Sequence, residues 1–242
     1  MRLAGSLRID HLVKFLKTFL SGKGGAPEQT VDLAPRQIVE EAEPAAEKAS
    51  PPSEVLEVIK KDFASGKHSR VSLVRGPDQT LWVWKRPNDD SKSHQMSFRK
   101  EIARSKIRRE LGLSNVEVGW HEDKHSLLGT YVPGVMALDR IQDRNFWTEE
   151  TYARERLALA QLIVHAAKQR AYVGDLNPKN IIFDGKRWQV IDSGSIRFKE
   201  SPESTLQEYR EKLMQQWSSR MHPAERKFLR HFLQALTLQN QP

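Results

Sequence analysis

The residues from Tyr172 to Gly194, YVGDLNPKNIIFDGKRWQVIDSG, constrain this chain more than any other stretch. A polar loop from Gly174 to Asn180 leads into the apolar run Ile181, Ile182 and Phe183. Asp184 and Gly185 follow, then a second run from Trp188 to Ile191, then Asp192 beside Ser193 and Gly194. An Asp-Gly pair between two such runs predicts a β-hairpin with a two-residue turn, because both central residues of the favoured turn need φ > 0. That hairpin carries Asp175 and Asn180 at its entrance and Asp192 at its exit. Two carboxylates and a carboxamide then share one end of a small sheet, an oxygen donor set suited to a divalent cation and a phosphate chain. The bland alternative is a polar hairpin whose turn residues satisfy one another.

Composition narrows the chemistry around this hairpin. At 242 residues the chain is long enough for a real core, as one domain or one plus an appendage. It has no cysteine, which excludes disulfides, thiolate catalysis and cysteine-ligated zinc. The formal charge of +8 favours anionic partners such as nucleotides, acidic proteins or lipid headgroups, without choosing among them.

Residues 1–25 place Ile9, Leu12, Val13, Leu16, Phe19 and Leu20 on one helical stripe, broken by Lys14 and Lys17 and ended by Gly22, Gly24 and Gly25. The lysines exclude a membrane span. A short amphipathic helix is expected, packing on the domain, on a membrane surface or on a partner, or else serving as an uncleaved secretion signal. Residues 26–53 are rich in Pro, Ala and Glu and lack aromatics, the composition of a disordered acidic linker. A folded domain is expected over 54–242. It opens with a helix-like stripe of Val55, Leu56 and Ile59, followed by strands over Arg70–Val74 and Thr80–Lys85 joined through Gly76, Pro77 and Asp78.

The next apolar positions, Phe98, Ile102, Ile107 and Leu111, predict a helix stopped by Gly112. Strands are expected over Val116–Trp120 and Ser126–Tyr131, with His121 and His125 as a solvated pair in their turn. Thr148 reads as the N-cap of a long helix with the stripe Leu157, Ala160, Leu162, Ile163 and Ala167. Two further helices are expected, one over Ser204–Met221 and one from Pro223, with Phe228, Leu229, Phe232 and Leu236 facing a core.

D-L-N-P-K-N followed by I-D-S-G resembles the catalytic and metal-binding loops of the protein-kinase-like superfamily. In that family an Asp, an Asn five residues later and an Asp about seventeen residues on supply the base and hold magnesium; Asp175, Asn180 and Asp192 have these spacings. The resemblance implies an α+β, two-lobed minimal kinase-like fold. An antiparallel-sheet N-lobe would cover about 54–132 and a reduced helical C-lobe about 133–242. It implies ATP and Mg²⁺ (or Mn²⁺) as cofactors. Lys85 corresponds to the strand lysine that holds the α- and β-phosphates, and Glu101, with Glu110 as fallback, to the helix glutamate that pairs with it. Val71 stands where the family covers the adenine, and Gly66 where the middle glycine of the Gly-rich loop lies. Ala64 and Ser69 replace that loop's outer glycines, so Ser69 would help through its hydroxyl. Backbone groups near Tyr131 and Val132, before Pro133-Gly134, would meet the adenine edge. Asp175 would accept or align the acceptor hydroxyl. Asn177 stands where many protein kinases carry a lysine that contacts the γ-phosphate, a charge Lys179 would supply.

Departures from the family pattern carry information too. Val173-Gly174 precede Asp175 where many protein kinases have His-Arg, Ser193 replaces a phenylalanine that packs as an anchor, and Ser201-Pro202-Glu203 arrives only seven residues after Gly194. These predict constitutive activity or control by a partner rather than loop phosphorylation. The chain is similar to minimal bacterial kinases, including effectors injected into host cells. That likeness implies a monomeric Ser/Thr kinase with a protein substrate (a host protein if it is an effector) and no specific nucleic-acid partner. It would be cytoplasmic, or delivered from there into a host cell. Gly174 before Asp175 also resembles kinases of lipopolysaccharide sugars and aminoglycosides, so a small-molecule acceptor stays open, as does a nucleotide-binding pseudokinase.

Overall fold

Alternation of aromatic, β-branched and polar residues between Ser69 and Pro87 builds the hairpin around which the first sheet forms. In a computed structural model describing residues 57–65, 69–89, 91–121 and 125–238, β1 (Glu57–Ser65), β2 (Ser69–Arg75), β3 (Leu81–Pro87), β4 (Val118–Trp120) and β5 (Leu127–Thr130) make one antiparallel sheet. Its strand order is β1-β2-β3-β5-β4. The protein is therefore mixed α+β with an antiparallel sheet. Expectations for 1–53, for Val55 and Leu56 and for Gly66 lie outside the described residues. The helix-like stripe through Ile59 is overturned: Ile59 lies in β1, whose register against β2 shifts between Lys60 and Ala64. Asp62, at φ 45°, sits within that irregularity, where its carboxylate takes a 2.6 Å bond from Arg86. Three apolar residues at helical spacing are also what an irregular edge strand can show, and pairing with β2 decides the outcome.

The described residues fall into two compact units, 57–137 with 173–197, and 138–172 with 198–238. In the first, helix α1 (Lys92–Glu110) ends as expected. Gly112 adopts φ 67° and Leu113 N–H reaches back to the Arg108 carbonyl at 2.8 Å, the glycine-based stop that satisfies terminal carbonyls. Phe98 of α1 packs with Val116, Val118 and Leu127, and Ile102, Trp120, Val132 and Ile191 surround that cluster. A three-stranded sheet follows, from β6 (Val135–Met136), β8 (Ile181–Phe183) and β9 (Trp188–Val190), in the order β6-β8-β9. Gly134, at φ 154°, lets the chain pass so close that an added Cβ would lie 2.2 Å from the Phe183 carbonyl oxygen.

The hairpin β8–β9 corrects one expectation. Phe183 pairs with Trp188, so the loop has four residues, 184–187, and of its two expected positive-φ residues Gly185 alone qualifies, at 90°. Asp184 instead uses its carboxylate as a local cap. Oδ1 accepts from the N–H groups of Lys186 and Arg187, each at 2.8 Å, and Oδ2 from Gln189 Nε2 at 2.6 Å. The side-chain bonding of Asp at the start of a turn outweighs the two-residue geometry.

The second unit is helical: α2 (Ala137–Gln142, its first residue in the other unit), α3 (Ala153–Lys168), α4 (Pro202–Ser218) and α5 (Arg226–Ala235). Thr148 does not cap α3. Trp147 is buried against Phe232, ring centroids 5.4 Å apart, and a single 3₁₀ turn over Glu150–Tyr152 intervenes before the helix. Arg156, itself buried, donates to the carbonyls of Phe146 and Glu149 and fixes that approach. Leu157, Ala160, Ile163 and Ala167 are buried as the stripe predicts, while Leu162 is half-buried. Ser201-Pro202-Glu203 is the start of α4: Ser201 and Ser204 bond reciprocally as a capping box and Pro202 occupies the first turn. Tyr209 on α4 donates to the Ala171 carbonyl at 2.8 Å. No described helix is long and apolar enough to cross a membrane.

Candidate functional site

The candidate site lies within the unit formed by 57–137 and 173–197. Regular pairing of β2 with β3 puts Val71 opposite Lys85, and pairing of β3 with β5 puts Lys85 opposite Leu127. Side chains alternate across a strand, so Ser69, Val71 and Lys85 share one sheet face, beside Leu127 of the Phe98 cluster. α1 supplies Glu101 to that face. Lys85 Nζ lies 2.6 Å from Glu101 Oε1 and 3.2 Å from Asp192 Oδ2. One ammonium therefore joins two carboxylates that are 16 and 107 residues away in sequence.

Burial shapes the charges of this cluster. The Lys85 and Glu101 side chains retain 19% and 14% of their exposure and Asp192 40%. Burial pushes the Lys85 ammonium down, but the charges of Glu101 and Asp192 and the bonds to them outweigh it and hold its pKa above the usual lysine value. Burial likewise pushes Asp192 up. The Lys85 charge and hydrogen bond, the Arg108 guanidinium and the Ser193 N–H prevail and hold it below the ordinary carboxylate range. Asp192 is thus an anion at neutral pH, paired with the Lys85 ammonium.

Asp175 and Asn180 come to Asp192 through the backbone. β7 (Ala171–Gly174) leads into Asp175, and a 3₁₀ turn over Pro178–Asn180 leads into β8. Ile191 N–H bonds the Asn180 carbonyl at 2.9 Å and Gly194 N–H the Gly174 carbonyl at 3.2 Å, so the loop bearing Asp192 is laced to the loop bearing Asp175. Two glycines permit this approach. A Cβ on Gly174 would lie 2.4 Å from Ser195 Oγ, and one on Gly194 3.2 Å from Asp175 Cβ. Asp175 is exposed and adopts φ 61°, a left-handed conformation that aspartate tolerates better than most residues. Asn180 Nδ2 donates to the Asp175 carbonyl at 3.2 Å, which leaves its amide oxygen as the end with ligand chemistry.

Other expected residues stand further from this cluster or outside the description. Lys179 is exposed on the 3₁₀ turn, whose start is capped by Asn177. Tyr131 N–H is already used by the Leu81 carbonyl at 3.2 Å, so of the two expected adenine-facing residues Val132 has the N–H not engaged in this way. Glu110, the fallback for Glu101, is exposed at the end of α1. Among the described residues no three His, Asp or Glu side chains cluster as a metal site. The donor set here is smaller, one carboxylate and one carboxamide. It suits Mg²⁺, which keeps waters and takes its remaining ligands from substrate phosphates.

The sequence reading missed one member of the site. Arg108, fully buried on α1, donates from Nη1 to Ser193 Oγ at 2.7 Å, while Nε and Nη2 have no hydrogen-bond partner among the described residues. Burial lowers its pKa, with Glu101 and Asp192 opposing. The signal was present in the spacing: Glu101 and Arg108 are seven residues apart, two helical turns along one face. No protein-family model and no curated protein matches the chain.

Proposed function

We propose that the chain is an ATP-dependent phosphotransferase of the protein-kinase-like superfamily, with a two-lobed minimal fold, acting as a Ser/Thr kinase on a protein hydroxyl. The observation that carries the reading is the cluster Lys85–Glu101–Asp192, in which a strand lysine joins a helix glutamate to the acidic loop residue. Phosphoryl transfer requires positioning and charge neutralisation more than covalent help, and this cluster supplies both. Lys85, held by Glu101, would turn from Asp192 to the α- and β-phosphates. Asp192 and Asn180 would hold Mg²⁺, which neutralises charge on the β- and γ-oxygens when bound. Asp175 would align the acceptor hydroxyl and take its proton as the hydroxyl oxygen bonds to the γ-phosphorus and ADP leaves with the cleaved oxygen. Ser69 and Gly66 would cover the phosphates, Val71 and Val132 would border the adenine, and Lys179 would offset charge on the γ-phosphate.

A second reading, transfer to a small-molecule hydroxyl, is favoured by one observation. Residues 195–201 are committed to β10 (Ser195–Phe198) and to the cap of α4, so no extended loop is left there to dock a peptide. The deciding experiment incubates purified protein with Mg²⁺ and γ-labelled ATP, alone and with basic protein, sugar and lipid fractions. Label in protein that disappears in Asp192→Ala supports the first reading. Label confined to a sugar or lipid supports the second. Nucleotide-dependent stabilisation without any transfer points to a pseudokinase, and absence of both refutes all three.

A further inference from the structure

A buried arginine with a single protein hydrogen bond needs a reason, because an apolar side chain of similar volume would fill the same place without desolvating a charge. Arg108 is such a residue: no surface is exposed, and among the described residues its hydrogen bond is to the hydroxyl of Ser193 at 2.7 Å. Ser193 is itself buried, at 3% exposure, and it is covalently next to Asp192. The Asp192 side chain itself is held by Lys85, at 3.2 Å, and the backbone on either side by the Ile191 and Gly194 N–H bonds. In the proposed reaction Lys85 turns from Asp192 to the phosphates, so engaging nucleotide weakens that tether. Arg108 has no exposed surface from which to follow it, and its bond to Ser193 persists. Glu101 and Arg108 project from the same face of α1, so the helix that steadies Lys85 also steadies the loop.

We infer that Arg108 is a positioning residue: through the Ser193 hydroxyl it keeps Asp192 aimed at the metal–nucleotide site when the Lys85 ammonium departs. The inference rests on the phosphotransferase reading above. A bond between a charged donor and a hydroxyl that holds a loop is worth about a tenfold change in the equilibrium it governs.

The test compares wild type with Ser193→Ala, Ser193→Thr, Arg108→Met and the Ser193→Ala/Arg108→Met double variant, in two measurements. The first is amide hydrogen exchange over residues 188–198 in metal- and nucleotide-free protein. The second is calorimetric affinity for Mg²⁺·ADP, with kcat and KM for ATP measured alongside. Ser193→Ala is expected to exchange about tenfold faster at 191–194, to bind Mg²⁺·ADP about tenfold more weakly and to raise KM more than it lowers kcat. Ser193→Thr, which keeps the hydroxyl, should match wild type, and the double variant should be no worse than either single one. Ser193→Ala removes one oxygen atom, so it decides the matter even where Arg108→Met fails to fold. Wild-type exchange and affinity in Ser193→Ala, or additive losses in the double variant, overturn the latch and leave the phosphotransferase reading standing. Failure of wild type to bind Mg²⁺·ADP overturns that reading and this role with it.

Discussion

Replacing Glu101 with Gln removes one charge and almost no volume, and the geometry around Lys85 sets the size of the response. At 2.6 Å and an effective dielectric of about 20, the gross attraction between Lys85 and Glu101 is about 6 kcal/mol, and that to Asp192 at 3.2 Å about 5 kcal/mol. Most of this offsets the cost of burying the charges. Deleting one partner of a fully buried pair costs about 3–5 kcal/mol, whereas an exposed pair is worth about 0–1 kcal/mol. Exposures of 19% and 14% place this pair near the buried limit. Two features soften the loss: Asp192 remains as counter-ion, and the Gln carboxamide oxygen still accepts a hydrogen bond. A destabilisation of about 2 kcal/mol follows, a fall in Tm of roughly 4–8 °C for a chain of this size. With the Glu101 charge gone, the ammonium leans more strongly on Asp192, and on the proposed reading it competes there with Mg²⁺, so affinity for Mg²⁺·ATP should drop by about one to two orders of magnitude. Thermal melts with and without Mg²⁺·ATP read both effects. Glu110→Gln, the same charge change at an exposed position of the same helix, is the control and should move Tm by no more than about 1 °C. Equal melts for the two variants, with equal nucleotide responses, would refute the assignment of Glu101 as the residue that orients Lys85.

Gly174→Ala places a Cβ 2.4 Å from Ser195 Oγ, so the serine hydroxyl must turn away, after which its carbonyl oxygen and Cβ stand at 3.5 and 3.7 Å. A loss of about 1–2 kcal/mol is expected in urea melts, with recovery in Gly174→Ala/Ser195→Ala. Gly134→Ala has no such remedy, since its Cβ would meet a backbone oxygen at 2.2 Å with φ at 154°, and it should cost about 3 kcal/mol or yield insoluble protein. Burial raises the Asp184 pKa, but the N–H groups of Arg187 and Lys186 and the Gln189 amide outweigh it, leaving the folded value below the unfolded one. Its stabilisation is therefore whole above the unfolded value of about 3.9 and is lost as pH falls through the folded one, so Asp184→Ala should cost about 2 kcal/mol at pH 7 and progressively less in acid. Glu225 has the opposite sign: burial raises its pKa, and Oε2 is buried without a hydrogen-bond partner among the described residues. Glu225→Gln should gain on the order of 1 kcal/mol at pH 7, a difference that shrinks as pH falls through the raised folded value and is gone below the unfolded value of about 4.3.

The parts of the fold that depend on neighbours in sequence were legible, and the parts that depend on distant partners were not. Gly112 ends α1 as expected because helix termini are settled by a few adjacent residues, whereas the start of α4 falls at Pro202, two residues before the expected Ser204, because Ser201 and Ser204 cap it. Ile59 was misread because β1 is an edge strand with an irregular register, and the deciding hydrogen bonds come from β2. The turn at Asp184 was misread for a related reason: Gln189, on the returning strand, holds the carboxylate in place as a cap, and Asp-Gly alone does not reveal that partner. In the candidate site, Asp175, Asn180 and Asp192 were readable as one group because a hairpin of short span fixes their separation. Lys85 and Glu101 needed the family resemblance, since nothing local joins β3 to α1. Arg108 shows where such reasoning stops. Its place on the Glu101 face follows from helical period, but Arg99, Arg104 and Arg109 stand on the same helix. Only Ser193, 85 residues away, distinguishes Arg108 from them. A motif comparison scores Ser193 as a lost aromatic anchor, whereas hydrogen-bond chemistry scores it as the acceptor that makes a buried guanidinium tolerable. On the proposed reading, the departure from the family pattern marks a position where polar anchoring stands in for apolar packing, and the partner of that anchor emerges only once the helix and the loop are seen together.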